Sequence, residues 1–309
     1  MIKFSDVTDA QERIKTYIRQ TPLEYAMTLS DDNRKIFLKL ECQQLLKAFK
    51  IRGAFNKLLS LSQQERREGI AAISSGNHGA AVSYAANVLG IRSAKIFVPK
   101  TIPQSKLAKI RYYGAEVILI GDNYDEAHFY GKEAIQKEGL LLVDSCSDRE
   151  VIAGQGTIGM EILAENPNID IILVPIGISV AVKKLKPTIQ VIGVQPEVCP
   201  AMLRAMEDGV FYEEYPTGGS MCDALAGGVA EIPFLMASKC IDSVLLASEE
   251  GIFSAARTLL TEEKIVSEPS GAVGVAVLQE NSDLFAGKEI AAVISGGNLD
   301  RALMKRLLW

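Results

Sequence analysis

The sequence predicts an α/β protein with open, mostly parallel sheets flanked by helices. Short runs rich in Ile and Val alternate with longer helical patterns, and this alternation is typical of α/β architecture. Several of the runs are almost continuously apolar, as expected for strands that a parallel sheet buries on both faces. With 309 residues, of which 48% are apolar, the chain is long enough for two domains of ordinary size.

The predicted strands are short runs of β-branched and other apolar residues. They lie at residues 36–40, 71–74, 95–98, 116–120, 140–143, 171–175, 191–195, 243–247 and 290–295. The predicted helices lie between them, at residues 55–61, 79–89, 105–113, 123–138, 156–165, 249–262 and 271–280. No repeat, linker or low-complexity tract marks a domain boundary.

The composition argues against nucleic-acid, membrane and metal-centre functions. The net charge is −5 and no run of Lys or Arg stands out, so there is no basic footprint for a nucleic acid. No apolar stretch reaches the ~20 residues of a membrane span, and charged residues interrupt the N-terminus where a signal peptide would lie. The five cysteines are scattered, and two histidines are too few for a poly-His metal centre. We therefore expect a cytoplasmic protein with reduced thiols.

Three motifs carry the functional signal. Ala48-Phe49-Lys50-Ile51-Arg52-Gly53-Ala54 comes first, Ser74-Ser75-Gly76-Asn77-His78-Gly79 follows, and Ser295-Gly296-Gly297-Asn298 lies near the C-terminus. In this order the motifs resemble those of the fold-type-II pyridoxal-phosphate enzymes, above all the threonine/serine dehydratase and serine racemase branch. The resemblance extends from about residue 21 to residue 298, which is nearly the whole chain.

This resemblance implies the architecture of the tryptophan synthase β-subunit, with two open, twisted sheets flanked by helices. A small domain at 69–146 is expected to be inserted into a large cofactor-binding domain made of 1–68 and 147–309, with the active site in the cleft between them. The resemblance also implies pyridoxal 5′-phosphate as cofactor, a small amino acid as substrate, and a homodimer as the assembly.

Lys50 is the predicted cofactor lysine. Chemistry at the α and β carbons of an amino acid needs an electron sink, which pyridoxal phosphate supplies and protein side chains do not. The family holds the cofactor aldehyde through a lysine amine that follows a Phe and later uses the freed amine as a base. Lys50 occupies that position, and Phe49 is expected against the cofactor ring. Lys47 is the alternative, and Ala48 replaces the family's usual Ser, which removes a hydroxyl near the lysine.

Residues 74–79 join a short predicted strand to a predicted helix. Such a turn presents unpaired backbone N–H groups and the positive end of the helix dipole, so it binds anions. The resemblance makes that anion the substrate α-carboxylate, held by Ser74, Ser75, Gly76, Asn77 and His78, and gives Asn77 a contact to the cofactor ring oxygen. It also places Ser75 opposite Lys50, where racemases of this branch exchange the second proton. Taken alone, the pattern is that of a Ser N-cap before a glycine turn.

Ser295 ends a predicted apolar strand, at the carboxyl edge of a sheet, where ligands bind in α/β folds. The family has a Ser or Cys at this place, in contact with the pyridine nitrogen of the cofactor. A neutral hydroxyl there suits elimination and limits transamination. Without the other motifs, Ser-Gly-Gly-Asn is only a turn.

The largest departure from the family lies at its phosphate-binding loop. The family has four glycines whose backbone amides cradle the cofactor phosphate, and this sequence keeps only Gly177. Several neighbouring residues are absent as well. Two explanations stay open: a real deletion, which would weaken cofactor retention, or a segment of the natural chain missing from the sequence. We favour the second, because a deletion would leave the other cofactor contacts without their anchor.

A metal site is not expected. Gln195 and Ala201 stand where some members of this branch have a Glu and an Asp that bind a divalent cation, and hard cations prefer carboxylate oxygens. The run Asp144-Ser145-Cys146-Ser147-Asp148 also differs from the His-Pro-Phe-Asp-Asp of many dehydratases. Because the family places this run near the distal end of the substrate, the identity of the substrate side chain stays open.

The predicted activity is β-elimination from a β-hydroxy amino acid such as L-threonine or L-serine, which gives a 2-oxo acid and ammonia. His78 favours elimination, because the cysteine-synthase branch, which carries out β-replacement, has Thr at this place. Three alternatives remain: an amino-acid racemase of the serine type, a hydroxyaspartate or hydroxyectoine-pathway dehydratase, and a catalytically silent member of the family. The catalytically silent alternative is kept because the sequence retains only Gly177 of the four glycines that bind the cofactor phosphate in the family.

Overall fold

Strands and helices alternate along the chain, as the sequence predicts. The computed structural model describes residues 2–102, 104–122, 124–174 and 180–309. Its strands are β1 (Leu23–Tyr25), β2 (Arg34–Lys39), β3 (Ile70–Ile73), β4 (Ala94–Val98), β5 (Glu116–Leu119), β6 (Leu141–Leu142), β7 (Ile171–Val174), β8 (Gln190–Pro196), β9 (Ser243–Ala247) and β10 (Lys288–Val293). Its α-helices are α1 (Phe4–Ile14), α2 (Lys50–Ser60), α3 (Gln63–Glu68), α4 (Asn77–Val88), α5 (Gln104–Tyr112), α6 (Tyr124–Glu138), α7 (Arg149–Glu165), α8 (Val180–Leu185), α9 (Ala201–Asp208), α10 (Glu231–Cys240), α11 (Glu249–Thr261), α12 (Pro269–Glu280) and α13 (Arg301–Leu308).

Two compact units divide the chain. The large unit consists of Met1–Val7, Arg19–Phe49 and Gly156–Trp309, and the small unit consists of Thr8–Ile18 and Lys50–Gln155. One sheet is formed entirely by strands of the large unit and the other entirely by strands of the small unit. The predicted class, with two mostly parallel sheets flanked by helices, is therefore confirmed.

The six-stranded sheet of the large unit has the strand order β1-β2-β10-β7-β8-β9. Every neighbouring pair is parallel except β1 and β2, which pair antiparallel at one edge. The sequence analysis did not predict β1, because the strand is only three residues long, Leu-Glu-Tyr, and two of them are exposed. Such a strand carries no apolar run that periodicity could detect.

Side chains of the large sheet are buried on both of its faces, alternating along each strand. Along β10 and its extension, Ile290, Ala292 and Ile294 pack into one hydrophobic cluster, whereas Ala291 and Val293 pack into another. The helix α12 belongs to the first cluster and is buried over most of its length. Burial on two faces explains why these strands are almost continuously apolar.

The four-stranded sheet of the small unit is parallel throughout, in the order β5-β4-β3-β6. The strand β3 is an interior strand, paired with β4 on one side and β6 on the other, and all four of its residues are buried. Its carboxyl end therefore opens at the middle of one sheet edge, where α/β folds bind ligands. Ser74 is the residue that follows.

The division into units differs from the expected domain boundaries. The helix α2 and the beginning of α7 belong to the small unit, although the sequence analysis assigned 1–68 and 147–309 to the large domain. Close helix packing accounts for the difference: α2 packs against α4, and a Cβ atom added to Gly154 of α7 would lie 2.7 Å from the carbonyl oxygen of Arg52 in α2. The boundary at 69–146 stays a prediction about which part of the chain behaves as a domain.

All five cysteines are free thiols, and Cys42, Cys199 and Cys222 are buried. Burial raises the pKa of Cys42 and of Cys222 to about 12, so both stay protonated and unreactive at neutral pH. Within the described ranges, no helix combines the length and the apolar composition that a membrane crossing needs.

A buried ion pair joins β2 to α7 within the large unit. The Nζ atom of Lys39 lies 2.6 Å from Oε2 of Glu161 and donates a second hydrogen bond, also of 2.6 Å, to the carbonyl oxygen of Thr21. Lys39 is fully buried and Glu161 nearly so. Removing one partner of a buried ion pair leaves a charge without compensation in a poorly solvated place.

We expect Lys39→Met to lower the free energy of unfolding by about 3–5 kcal/mol, because the buried Glu161 carboxylate then loses the ammonium of Lys39. Urea denaturation followed by circular dichroism measures the change. Lys35→Met is the matched control, since it breaks the exposed Lys35–Glu289 pair and should have a much smaller effect. Equal losses in the two variants would contradict the role given to Lys39.

Candidate active site

The chain before Lys50 is hydrogen-bonded to the turn that follows β10. The backbone N–H of Phe49 donates to the carbonyl oxygen of Ser295 at 3.1 Å, and that of Gly297 donates to the carbonyl oxygen of Lys47 at 2.8 Å. Both bonds lie within the large unit. They fix Phe49 at the carboxyl end of β10, and Lys50 is the next residue.

A bend in the chain distinguishes the two candidate lysines. Leu46 and Lys47 have φ values of 61° and 60°, a left-handed conformation that is uncommon for residues other than glycine. Asn298 stabilises the bend, because its Nδ2 donates to the carbonyl oxygen of Leu46 at 3.0 Å. Lys47 is exposed, whereas Lys50 is half-buried. A lysine that binds a cofactor must be partly shielded from solvent, so the burial of the two side chains favours Lys50.

Lys50 is the first residue of α2. Its Nζ atom lies 3.5 Å from the carbonyl oxygen of Ser145, in the loop after β6. An ordinary N–H···O hydrogen bond is about 2.7–3.2 Å long, so this carbonyl holds the amine only loosely. One turn further along α2, a Cβ atom on Gly53 would lie 2.7 Å from the carbonyl oxygen of Val151. Only glycine allows α2 to lie this close to α7.

The turn at 74–78 connects β3 to α4. Gly76 is the N-cap residue and makes no side-chain capping bond, so the helix begins without a side chain over its first N–H groups. Gly79 allows α4 to approach β3, since a Cβ atom there would lie 2.3 Å from the carbonyl oxygen of Ser74. Ser74, Ser75, Gly76 and Asn77 are all half-buried, as expected for groups that meet a ligand in a pocket.

The side chain of His78 is buried, with 2% exposure, and does not face solvent with the rest of the turn. Its Nε2 lies 2.8 Å from the carbonyl oxygen of Val143, and its Nδ1 is buried without a hydrogen-bond partner. Burial, followed by the positive charge of Lys50, lowers the pKa of His78 to about 4. The ring is therefore neutral at neutral pH, and the group that His78 can offer a carboxylate is its backbone N–H.

The loop after β6 is held in shape by Asp144. The Oδ1 atom of Asp144 accepts hydrogen bonds from the backbone N–H groups of Cys146, at 2.8 Å, and Ser147, at 2.7 Å. The carbonyl groups at 143 and 145 therefore belong to a fixed backbone. One of them accepts from His78 and the other faces Lys50. This segment, which we call the 143–147 segment, connects the predicted lysine with the predicted carboxylate turn.

Ser295 lies just past the end of β10 and is buried, with 5% exposure. The turn after it packs tightly against the start of α12, since a Cβ atom on Gly271 would lie 2.8 Å from the carbonyl oxygen of Gly296. Gly177, the remaining glycine of the expected phosphate loop, lies outside the described residues, as does all of 175–179.

Within the small unit, the structure brings together Lys50 and the 74–78 turn through the 143–147 segment, while Phe49 and Ser295 come together in the large unit. Sequence reasoning did not find the part played by the carbonyl groups of Val143 and Ser145, since backbone groups leave no residue signature. It also missed Gln155, whose side chain is buried. Its place between two glycines, in Gly154-Gln155-Gly156, was the available signal.

Gln195, at the place of the absent cation ligand, has a structural role. Its Oε1 atom accepts hydrogen bonds from the backbone N–H groups of Met202, at 3.1 Å, and Leu203, at 3.2 Å, and so caps the start of α9. The oxygen that a cation would need is engaged in these two bonds. In the part of the chain that the structure describes, no group of three or more His, Cys, Asp or Glu residues could hold a metal ion.

Comparison with known proteins identifies the class. Residues 14–296 match the family model described as pyridoxal-phosphate dependent enzyme. The L-threonine ammonia-lyase of Thermotoga maritima is 39% identical over 100% of this chain and 78% of its own length. Among solved structures, maize serine racemase has a TM-score of 0.93 at 28% identity, covering 99% of this chain and 97% of its own. The processed form of threonine deaminase isoform 2 from Solanum lycopersicum has a TM-score of 0.92 at 30% identity, covering 98% and 92%.

The chain belongs to the family of pyridoxal-phosphate-dependent enzymes, and its cofactor is pyridoxal 5′-phosphate. The residues present fit this group. Buried polar atoms without partners are rare in folded proteins, and two side chains close to the N-terminal part of α2 have them. One is Nδ1 of His78, whose ring is acted on by the charge of Lys50. The other is the whole amide of Gln155, which lies 2.5 Å from a Cβ atom built on Gly53, one helical turn after Lys50.

His78 should make the stability of the protein depend on pH in a defined window. Its pKa is about 4 in the folded protein against 6.5 for an ordinary histidine, so the unfolded chain takes up the proton first as the pH falls. The contribution of the neutral ring is fully present above pH 6.5 and is lost as the pH falls toward 4. We expect the urea midpoint of His78→Gln to fall less than that of the wild type across this window. His128→Gln is the control, and equal slopes for wild type and His78→Gln would contradict the assignment.

Metal independence is tested by thermal unfolding. We expect added magnesium to leave the melting temperature unchanged, because the amide oxygen of Gln195 is engaged and Ala201 offers no ligand. A cation that binds only the native fold raises the melting temperature by mass action, so even weak binding becomes visible. Gln195→Ala should cost about 1 kcal/mol through loss of the cap. A saturable, magnesium-dependent rise in melting temperature would overturn the prediction.

Proposed function

We propose that this protein is a threonine ammonia-lyase, which converts L-threonine, and L-serine to a lesser extent, into a 2-oxo acid and ammonia. The observation that carries the proposal is the 143–147 segment, whose backbone contacts both the amine of Lys50 and the turn at 74–78. Proton removal next to a carboxylate requires a base and a carboxylate site that lie near one another. The L-threonine ammonia-lyase and threonine deaminase among the relatives support threonine as the substrate.

Each predicted site residue has a role in this proposal. Bound pyridoxal phosphate supplies an electron sink for the negative charge that develops at the α carbon. Phe49, Lys50, Asn77 and Ser295 are proposed to bind the cofactor, with Gly177 near its phosphate. Ser74 to His78 are proposed to hold the substrate carboxylate through backbone N–H groups at the start of α4 and through the serine hydroxyls.

Lys50 is proposed as the base. Its amine takes the α-proton, and the β-hydroxyl then leaves as water, so that the dehydrated product hydrolyses to 2-oxobutanoate and ammonia when threonine is the substrate. Lys50 is half-buried, which supports this role because water is partly excluded from the residue, and the contact of its amine to the carbonyl oxygen of Ser145 is long, at 3.5 Å. Ser295, a neutral hydroxyl, leaves the ring nitrogen without a full positive charge and so favours elimination over transamination.

Racemisation of serine is the second candidate function. Ser75 is half-buried in the turn, and the structural likeness to maize serine racemase supports it. In this alternative, Lys50 and Ser75 exchange protons on opposite faces of the substrate. A hydroxyaspartate-type dehydratase is a variant of the lyase proposal, in which the sequence of the 143–147 segment, with Ser145 and Cys146, selects a different side chain.

We also propose that the protein is a cytoplasmic homodimer whose inserted domain corresponds to 69–146. Five free thiols support a reducing compartment. The dehydratase and racemase branch supports the dimer. Light scattering coupled to size-exclusion chromatography should give twice the chain mass of 33.5 kDa, and a mass equal to the single chain would contradict the dimer.

Covalent labelling tests Lys50. The purified holoenzyme should absorb visible light through its lysine-bound cofactor, and borohydride should fix the cofactor in the peptide that contains Lys50. Lys50→Ala should abolish the label, whereas the control Lys47→Ala should keep it, since Lys47 is exposed. A label on Lys47, or a label that survives Lys50→Ala, would show that the assignment is wrong.

Product analysis separates the two candidate functions. We expect the wild type to release 2-oxobutanoate from L-threonine faster than pyruvate from L-serine, and to form little D-serine. Ser75→Ala should suppress D-serine formation far more than 2-oxobutanoate release, because only racemisation needs a second proton donor. Equal suppression of both activities, with substrate binding intact, would argue against the two-base arrangement.

A further inference from the structure

One nitrogen of the His78 ring has a partner and the other has none. Nε2 lies 2.8 Å from the carbonyl oxygen of Val143, while Nδ1 is buried without a hydrogen-bond partner. The side chain is 2% exposed, so bulk water cannot satisfy the second nitrogen. A buried polar atom in this state is costly, and a folded protein keeps it where a ligand or a moving group supplies the missing bond.

The bonded nitrogen determines the tautomer. A carbonyl oxygen only accepts hydrogen bonds, so Nε2 carries the hydrogen. In a neutral imidazole the other nitrogen then has a bare lone pair, and Nδ1 is an acceptor. Burial and the charge of Lys50 keep the ring neutral by lowering its pKa to about 4. His78 therefore presents a hydrogen-bond acceptor at neutral pH.

The chemistry of the site limits what Nδ1 can accept from. A carboxylate has no hydrogen to donate and repels a lone pair, so the substrate carboxylate is not the partner. The partner must be an N–H or O–H group that reaches the ring during the reaction. Among the charged groups that act on His78, Lys50 is the cation, while Asp144 and Asp148 are anions.

The 143–147 segment contacts both Lys50 and His78. His78 bonds to the carbonyl group at 143, and Lys50 faces the carbonyl group at 145. A lysine side chain is long and flexible, and the charge of Lys50 already acts on the His78 ring. A change of the Lys50 rotamer is the motion that would bring its amine to Nδ1.

We propose that His78 is a positioning residue for Lys50, and that its Nδ1 accepts a hydrogen bond from the Lys50 amine once the substrate has displaced that amine from the cofactor. The proposal rests on the proposed function, in which Lys50 is the base. The proton taken from the α carbon rests on Nζ of Lys50 until the β-hydroxyl takes it and leaves as water, and His78 holds this ammonium in place without taking the proton itself. The otherwise unsatisfied nitrogen is thereby satisfied only in the working state of the enzyme.

Two variants of His78 separate its two hydrogen bonds. His78→Gln keeps a donor at the position of Nε2, for the carbonyl group of Val143, but has no acceptor at the position of Nδ1. His78→Asn keeps an acceptor near Nδ1 and loses the reach to Val143. We expect His78→Gln to lower kcat by about tenfold to a hundredfold with little change in KM, as for loss of a hydrogen bond to a charged group. His78→Asn should retain more of kcat and raise KM, because the carboxylate turn is no longer tied to the 143–147 segment.

Nitrogen NMR tests the contact directly, because the chain has only two histidines. The holoenzyme with ¹⁵N-labelled histidine, in a His128→Gln background, gives a single ring spectrum. L-2-Aminobutyrate, which is threonine without its hydroxyl, binds in place of the substrate but cannot eliminate water. On its addition, the Nδ1 signal of His78 should move toward that of a hydrogen-bonded nitrogen. In Lys50→Ala the same addition should leave Nδ1 in its unbonded position.

Comparing the enzyme that has Lys50 with the Lys50→Ala variant separates failure of this proposal from failure of the proposed lyase activity. An equal movement of the Nδ1 signal in both backgrounds would overturn the proposal, because the ligand itself would then be the donor. No movement in the Lys50 enzyme, with ligand binding shown by the visible spectrum, would also overturn it. A movement that depends on Lys50, in an enzyme that fails to release 2-oxobutanoate from threonine, would sustain the contact and refute the proposed lyase activity instead.

Discussion

The chain that leads into Lys50, the predicted cofactor lysine, depends on one backbone pairing, between the chain before Phe49 and the turn after β10. Ala48 and Gly296 form an antiparallel bridge, and the Phe49–Ser295 and Lys47–Gly297 bonds lie on either side of it. The left-handed conformation of Leu46 and Lys47 costs conformational energy. The backbone hydrogen bonds of this pairing offset that cost, because the bend brings the chain into position to form them. Lys50 is the next residue after this paired stretch, and β10 is an interior strand of the large sheet.

The small unit supplies a second constraint of the same kind. Asp144 shapes the 143–147 segment through two backbone N–H groups, and this segment then presents one carbonyl group to His78 and another to Lys50. Neither constraint uses a side chain that takes part in the chemistry. The side chains proposed for the chemistry can then adjust while the backbone around them is held, and the long contact between the Lys50 amine and Ser145 is an example.

Much of the fold could be predicted from the sequence, because a strand buried on both faces must be apolar almost throughout. All nine predicted strands are present, with ends that differ by a few residues. The edge strand β1 and short helices such as α3 and α13 were missed. Both helices have readable caps, the Ser62–Glu65 capping box and Asp300, but they lack the long apolar face that periodicity detects. The helix α2 was predicted to begin too late, because Lys50 and Arg52 look polar in the sequence although Arg52 is fully buried.

The sequence predicts which residues belong to the candidate site, but not the hydrogen bonds that orient them. Lys50, Ser295 and the 74–78 turn follow from motifs, whereas the bonds that orient them come from carbonyl groups, which every residue has. The sequence analysis gave His78 a place among the carboxylate-binding residues. That role stays a prediction and falls to its backbone N–H, since its side chain is buried against Val143. Only distant parts of the chain, brought together by the β3–β6 pairing, determine this burial. Gly177 and its neighbours stay a prediction, since they lie outside the described residues.

Chemical rescue of Lys50→Ala tests most directly that the Lys50 amine is the base in threonine deamination. The account predicts that this variant releases almost no 2-oxobutanoate from L-threonine, and that added ethylamine restores a rate that increases with the concentration of the free amine. The restored rate should also fall when the α-hydrogen of threonine is replaced by deuterium, since the amine then removes that atom. Full activity of Lys50→Ala without added amine, or a wild-type enzyme that releases no 2-oxobutanoate from L-threonine, would contradict the account.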